Sequence, residues 1–216
     1  MIGDKEIHEK SVTKFLGVQV DNKLTWKAHI THICSKVTKS IAILRLVRSI
    51  FPKNILKMIY MSLIYTYINY CNLIWGSADP IHVNALFLLQ KKAIRIINHA
   101  NYLDHTEPLF QKSKILTVYQ VFESKCLIFM YKCFKCNMFP DFKAKMLFNS
   151  EIHNHNTRKR TIRVIQTARL DICKKSFLYY GVDIWNNLDL KLKSLNSIGY
   201  FKKKLKLHIL GSQNNS

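Results

Sequence analysis

Leu24–Leu46 reads LTWKAHITHICSKVTKSIAILRL, and this stretch decides the fold. Trp26, Ile30, Ile33, Val37, Ile41 and Leu44 recur at steps of three and four, the spacing of one apolar face on an α-helix. His32, Lys36 and Lys39 fall on the opposite face, and Thr25 stands where a helix N-cap belongs. Ile43 and Leu46 lie off the apolar stripe, so the last turns read as buried all round. Upstream, Glu6 to Val20 alternates loosely and ends in Phe15, Leu16, Val18 and Val20, which predicts a short β-hairpin. Gly17 within its second strand fits a bulge or a close backbone approach.

Downstream the pattern stays helical. Pro52 suits a first helical turn, and the apolar run continues through Tyr60 and Tyr67 to about Trp75, where Gly76 breaks it. Asp79-Pro80 restarts a helix whose stripe is Leu86, Leu89, Ala93 and Ile97, with Lys91, Lys92 and Arg95 opposite. Thr117 opens another, with Val118, Phe122, Cys126, Phe129 and Cys133 on one face and Pro140 ending its extension. Ser150–Arg160 is polar throughout, a short strand is expected within Thr161–Thr167, and helices near Lys175–Asn187 and Ser197–Leu210 close the chain. The expected fold class is mainly α, with a short N-terminal hairpin, a helical bundle and a small basic C-terminal module.

Composition narrows the function. The 216 residues carry a formal charge of +21, with 34 Lys+Arg against 13 Asp+Glu. Residues 1–110 hold +7 and residues 111–216 hold +14. A surplus of that size repels itself unless a polyanion offsets it, which points to nucleic acid. With 48% apolar residues the chain can fold, and with only 6 Gly and 4 Pro it does not read as a loop-rich β protein. Met58–Ala78 has no charged residue, yet its four Tyr, two Asn, two Ser and one Thr fit a buried helix better than a membrane span. The six cysteines sit mostly within apolar periodic runs of a chain without a secretory signal, so a reducing compartment is expected rather than a disulfide framework.

Few residues suggest chemistry. Cys133-x-x-Cys136 followed by His153-x-His155 has zinc-ligand types, but the spacing matches no strong finger and the cysteines share an apolar face. The acids are scattered, with no adjacent acidic pair, and the glycines form no phosphate-cradling loop. Arg158, Lys159, Arg160 and Arg163 form a compact cationic cluster suited to phosphates or to nuclear import, or simply to solvent.

Six segments then stand in a telling order: KFLGVQVD (Lys14–Asp21), LTWKAHI (Leu24–Ile30), NYCNLIWG (Asn69–Gly76), QKKAIRII (Gln90–Ile97), HTEPLF (His105–Phe110) and KKSFLYYGVDIWNNL (Lys174–Leu188). The series resembles the region after the catalytic palm in reverse transcriptases of non-LTR retrotransposons, especially jockey-like elements. In that family F-L-G-V-x-x-D closes the palm, W-x-x-H-I opens the thumb, and S-F-x-x-x-G-x-x-x-W-N-x-L lies near the end of the reading frame. The family usually continues with Pro, where Asp189 stands here.

The resemblance implies an end-of-palm hairpin over 1–24, a helical thumb and connector over 25–149, a linker over 150–160, a basic module over 161–211 and a tail over 212–216. It implies a part of an RNA-directed DNA polymerase, a nucleotidyltransferase of mobile elements, that binds template–primer and lacks the catalytic aspartates. Phe15, Leu16 and Gly17 would then sit at the primer grip. Lys36, Lys39, Lys91, Lys92, Arg95, Arg158, Lys159, Arg160 and Arg163 would contact nucleic acid. No cofactor is expected in this chain; the parent enzyme would need Mg2+. Expected partners are RNA, DNA and the upstream palm, with no membrane, and the expected location is nucleus and cytoplasm. A stand-alone nucleic-acid-binding or scaffold protein derived from such an element is the alternative, distinguished by whether palm-coding sequence lies upstream.

Overall fold

The computed structural model describes residues 10–148, 162–164 and 176–211; the polar 150–160 segment lies outside them. The chain is mainly helical, with a two-stranded N-terminal hairpin, as the periodicity predicts. The described residues divide into two compact units. One holds those up to Cys71 together with Ala78–Ser113; the other holds Asn72–Ser77 together with those from Lys114 onward. This division follows packing rather than the polar segment, because the closing helices pack on the helix that Thr117 opens.

In the first unit, β1 (Val12–Phe15) pairs antiparallel with β2 (Val18–Asp21), Phe15 opposite Val18. Leu16 and Gly17 are therefore the two turn residues, both with positive φ (45° and 83°). That is the primed-turn pattern whose twist matches the strands, so Gly17 serves the turn and not a bulge. The Tyr70 hydroxyl donates to the Leu16 carbonyl and its ring lies 3.6 Å from where a Gly17 Cβ would stand.

α1 (Lys27–Leu46) follows a tight connection in which Leu24 and Trp26 take left-handed φ of 53° and 63°. Such backbone costs about 1–3 kcal/mol per residue unless its surroundings hold it. Asp21 holds it. One carboxylate oxygen accepts from Thr25 N–H (2.9 Å), Thr25 Oγ1–H (3.2 Å) and Lys23 N–H (3.2 Å), and the other from Trp26 N–H (2.8 Å). Thr25 does not occupy the N-cap, which is Trp26; its hydroxyl lies 3.4 Å from the Lys27 N–H. Ile30, Ile33, Val37, Ile41 and Leu44 are buried as predicted. Ile43 and Leu46 are not: Leu46 is 77% exposed, so the end of the helix keeps a polar-side geometry with apolar residues on it.

The run from Pro52 is not one helix. α2 (Lys53–Tyr60) passes into a π-helical turn at Met61–Tyr65 and then α3 (Thr66–Asn69). Extended Tyr70 and left-handed Cys71 (φ 48°) end it before α4 (Asn72–Trp75). Tyr60, Ile64 and Ile68 stay buried at steps of four. No helix among the described residues is long and apolar enough to cross a membrane. α5 (Pro80–Ile97) begins as read, with Asp79 accepting from Ile81 N–H at 2.8 Å and Pro80 in the first turn. It packs along α1, and its Gln90 amide donates to the Tyr60 hydroxyl at 2.8 Å, both side chains fully buried. α6 (Glu107–Ser113) seats Phe110 in the core.

In the second unit, α7 (Val118–Lys135) opens on a complete capping box, Thr117 with Gln120. α8 (Pro140–Lys143) starts at Pro140, which initiates a helical turn instead of ending one. β3 (Met146–Phe148) pairs antiparallel with β4 (Ile162–Val164). α9 (Phe177–Asn187), α10 (Leu190–Lys193) and α11 (Ile198–Gly211) complete the unit. α9 crosses α7 at Gly181, where an added Cβ would meet Met130 Sδ at 3.3 Å, and one turn on Trp185 is buried. Asp189 accepts from Lys191 N–H (2.9 Å) and so caps α10, which accounts locally for the departure from Pro.

Two measurements test the hairpin joint. Backbone N–H donors hold the Asp21 carboxyl below its usual range although burial acts the other way. Its contribution to stability is then present above roughly pH 4 and is lost as pH falls through the lowered value. Asp21→Asn should lose about 2 kcal/mol at neutral pH and flatten stability against pH in that acid range. His29 is buried and its Nδ1 accepts from Gln19 N–H at 3.3 Å, which requires the neutral ring. Burial, helped by His32, lowers its pKa. Unfolded chain therefore binds the extra proton, so stability should fall as pH drops below about 6.5, and His29→Gln should remove that slope in chemical denaturation.

Candidate nucleic-acid interface

α1 and α5 lie side by side and present their cations differently from the simple two-faced reading. Lys36 and Lys39 are exposed on α1, one turn apart. Lys92 is exposed on α5. Lys91 is half-buried, its Nζ 4.5 Å from the centre of the Phe87 ring. Arg95 turns back on its own connection, donating from Nε to the Asp104 carbonyl at 3.0 Å with its guanidinium 5.8 Å over the Tyr102 ring.

Where the two helices end, a cleft of about 270 Å³ opens. Arg45 and Arg48 line it from the α1 end, and Lys92 and Arg95 from α5. Lys36, Lys39 and Lys91 are not among its lining residues. Sequence reasoning does not single out Arg45 and Arg48. Their signal is the LRLVR spacing at Leu44–Arg48, one cation in the last helical turn and one just past it.

The hairpin tip is exposed as well. Phe15 is 66% and Leu16 74% exposed, with Gly17 between Leu16 and the strand. Arg158, Lys159 and Arg160 lie outside the described residues; Arg163 stands in β4 opposite Leu147.

Two of the cysteines look inward. Cys126 and Cys133 are buried in the apolar face of α7, and burial pushes the Cys133 thiol up to about 11 and Cys126 higher still. Cys136 does not share that face; it is exposed at the end of α7. A thiol held protonated is a poor zinc ligand. Among the described residues no three His, Cys, Asp or Glu side chains come together where a metal ion would be held, and His153 and His155 lie outside those residues.

Cys133→Ser should therefore destabilise the fold by about 1–3 kcal/mol, since it buries a hydroxyl without a sure partner. Cys133→Ala should cost less than the Ser change, and chelator should not alter the melting temperature. About one zinc per purified chain by elemental analysis would overturn this reading.

No family model matches the chain, and no solved structure matches it. Over 162 residues, 73% of its length, it is 26% identical to the RNA-directed DNA polymerase from mobile element jockey of Drosophila melanogaster. The match spans 17% of that relative's own length. The chain is thus similar to a small part of such a polymerase, in agreement with its ordered motifs.

Proposed function

We propose that this chain is the template–primer-binding thumb and connector of a jockey-like reverse transcriptase, carrying no polymerase chemistry of its own. The observation that supports this best is the run of cations along the paired α1 and α5: Lys36, Lys39 and Lys92 exposed, with Arg45, Arg48 and Arg95 at the helix ends. Such a surface suits a phosphate backbone, whose binding positions a duplex without reading its bases. Lys91 adds a cation beside them, and Arg158, Lys159, Arg160 and Arg163 would supply a second basic segment. The hairpin tip Phe15–Leu16–Gly17 would lie against the primer end, and the parent palm, with its Mg2+, would supply the reaction. The partners are RNA and DNA of the template–primer and that palm, with no membrane, in nucleus and cytoplasm.

Two assays test it. Affinity for an RNA–DNA hybrid duplex should fall steeply with salt, and Lys36→Glu with Lys39→Glu should lower the log–log slope by roughly 0.9 for each phosphate no longer neutralised. A flat salt response would sink the proposal. Supplied with primed RNA, deoxynucleotides and Mg2+ or Mn2+, the purified chain should extend nothing, because its sequence has no adjacent acidic pair of the kind that holds two metals. Incorporation above a heat-killed control would refute the division of labour.

A further inference from the structure

The cleft at the ends of α1 and α5 asks for an occupant that a duplex-binding face does not need. Four cations converge there, and no carboxylate is among its lining residues. A helix C-terminus accounts for part of this, since Arg45 and Arg95 lie in last turns, where the helix dipole favours positive charge. Arg48 lies past the end of α1, and Lys92 faces the cleft from a turn earlier on α5, so the dipole does not account for them.

The wall opposite is built rather than loose. Arg48 Nη2 donates to the Ala100 carbonyl (3.5 Å) and Arg95 Nε to the Asp104 carbonyl (3.0 Å). The Asp104 carboxylate accepts from Asn101 N–H (2.7 Å), so the connection after α5 is braced at three points. What it holds out is Tyr102, whose side chain lines the cleft while the residue is 76% exposed. Arginine guanidinium groups fitted to phosphate, with an aromatic ring at their edge, are the elements of a single-strand site. A paired base is already stacked in its duplex, so only an unpaired base is free to lie on such a ring.

We propose that this cleft binds one nucleotide unit of a single-stranded polynucleotide, its phosphodiester among Arg45, Arg48, Lys92 and Arg95 and its base on Tyr102. This role rests on the template–primer reading and deepens it: the exposed lysines of α1 hold the paired region, and the cleft takes unpaired template or the unpaired end of a strand.

The test uses the full chain, a labelled single-stranded oligothymidylate and a blunt RNA–DNA hybrid, with binding followed by fluorescence anisotropy. Tyr102→Ala should weaken the single strand about tenfold, the effect of one base stacked on an aromatic ring, and leave the hybrid unchanged; Tyr102→Phe should bind both like the parent. Lys92→Gln should lower the single-strand salt slope by roughly 0.7. An unchanged single-strand affinity in Tyr102→Ala overturns the proposal, and so does an equal weakening on both ligands. The two readings fail separately. Chain that ignores the hybrid yet binds the single strand through Tyr102 would keep the cleft and remove the thumb assignment. Chain that binds the hybrid with no Tyr102 effect would do the reverse.

Discussion

One carboxylate governs the first unit. Asp21 ends β2, and its two oxygens take hydrogens from Lys23, Thr25 and Trp26, so that a connection with two left-handed non-glycine residues becomes tolerable. Below it, His29 accepts from the β2 backbone at Gln19. These two links fix the angle at which α1 leaves the hairpin, and α1 in turn supplies the face on which α5 packs. The stripe from Ile30 to Leu44 is burial, which is strong but non-directional. The polar joint gives the direction.

The motif residues therefore do more for shape than for chemistry. Asp21 of F-L-G-V-x-x-D and His29 of W-x-x-H-I are the joint itself. In the second unit Gly181 lets α9 approach Met130, and Trp185 lies among Phe134 and Phe201, with ring centres 5.8 and 6.3 Å away. Tyr131 stacks on Phe201 and donates to the Leu195 carbonyl, so the aromatic core is tied to the connection before α11. Side chains of this kind identify a fold readily. The proposed function sits instead on the surface the fold holds out, the cations of α1 and α5.

Local chemistry is what the sequence makes legible. Helical spacing places α1, α5 and α7, and Asp79-Pro80 and Thr117 mark two starts correctly. The break at Tyr70–Cys71 is hidden because neither residue is Gly or Pro, and the Tyr70 hydroxyl bond to Leu16, which accompanies it, spans more than fifty positions. Gly17 reads as a strand residue because the pairing register, Phe15 with Val18, is a property of two strands that alternation alone leaves open. Ile43 and Leu46 read as buried because their neighbours are apolar, but among the described residues nothing covers that side of α1. For the site, Lys36, Lys39 and Lys92 are legible as an exposed face. Arg45 and Arg48 are not, since their meaning comes from the end of a different helix standing beside theirs.

The six residues Asn72–Ser77 belong by packing with segments from Lys114 onward, although they interrupt the first unit in sequence. Trp75 is fully buried, and α4 packs on α7. During synthesis a chain emerges from its N-terminus, and domains tend to close as they appear. Here the indole leaves the ribosome well before the helix that shelters it. Chain ending near Ser113 would lack α7, and Trp75 would lose the packing that this helix gives α4.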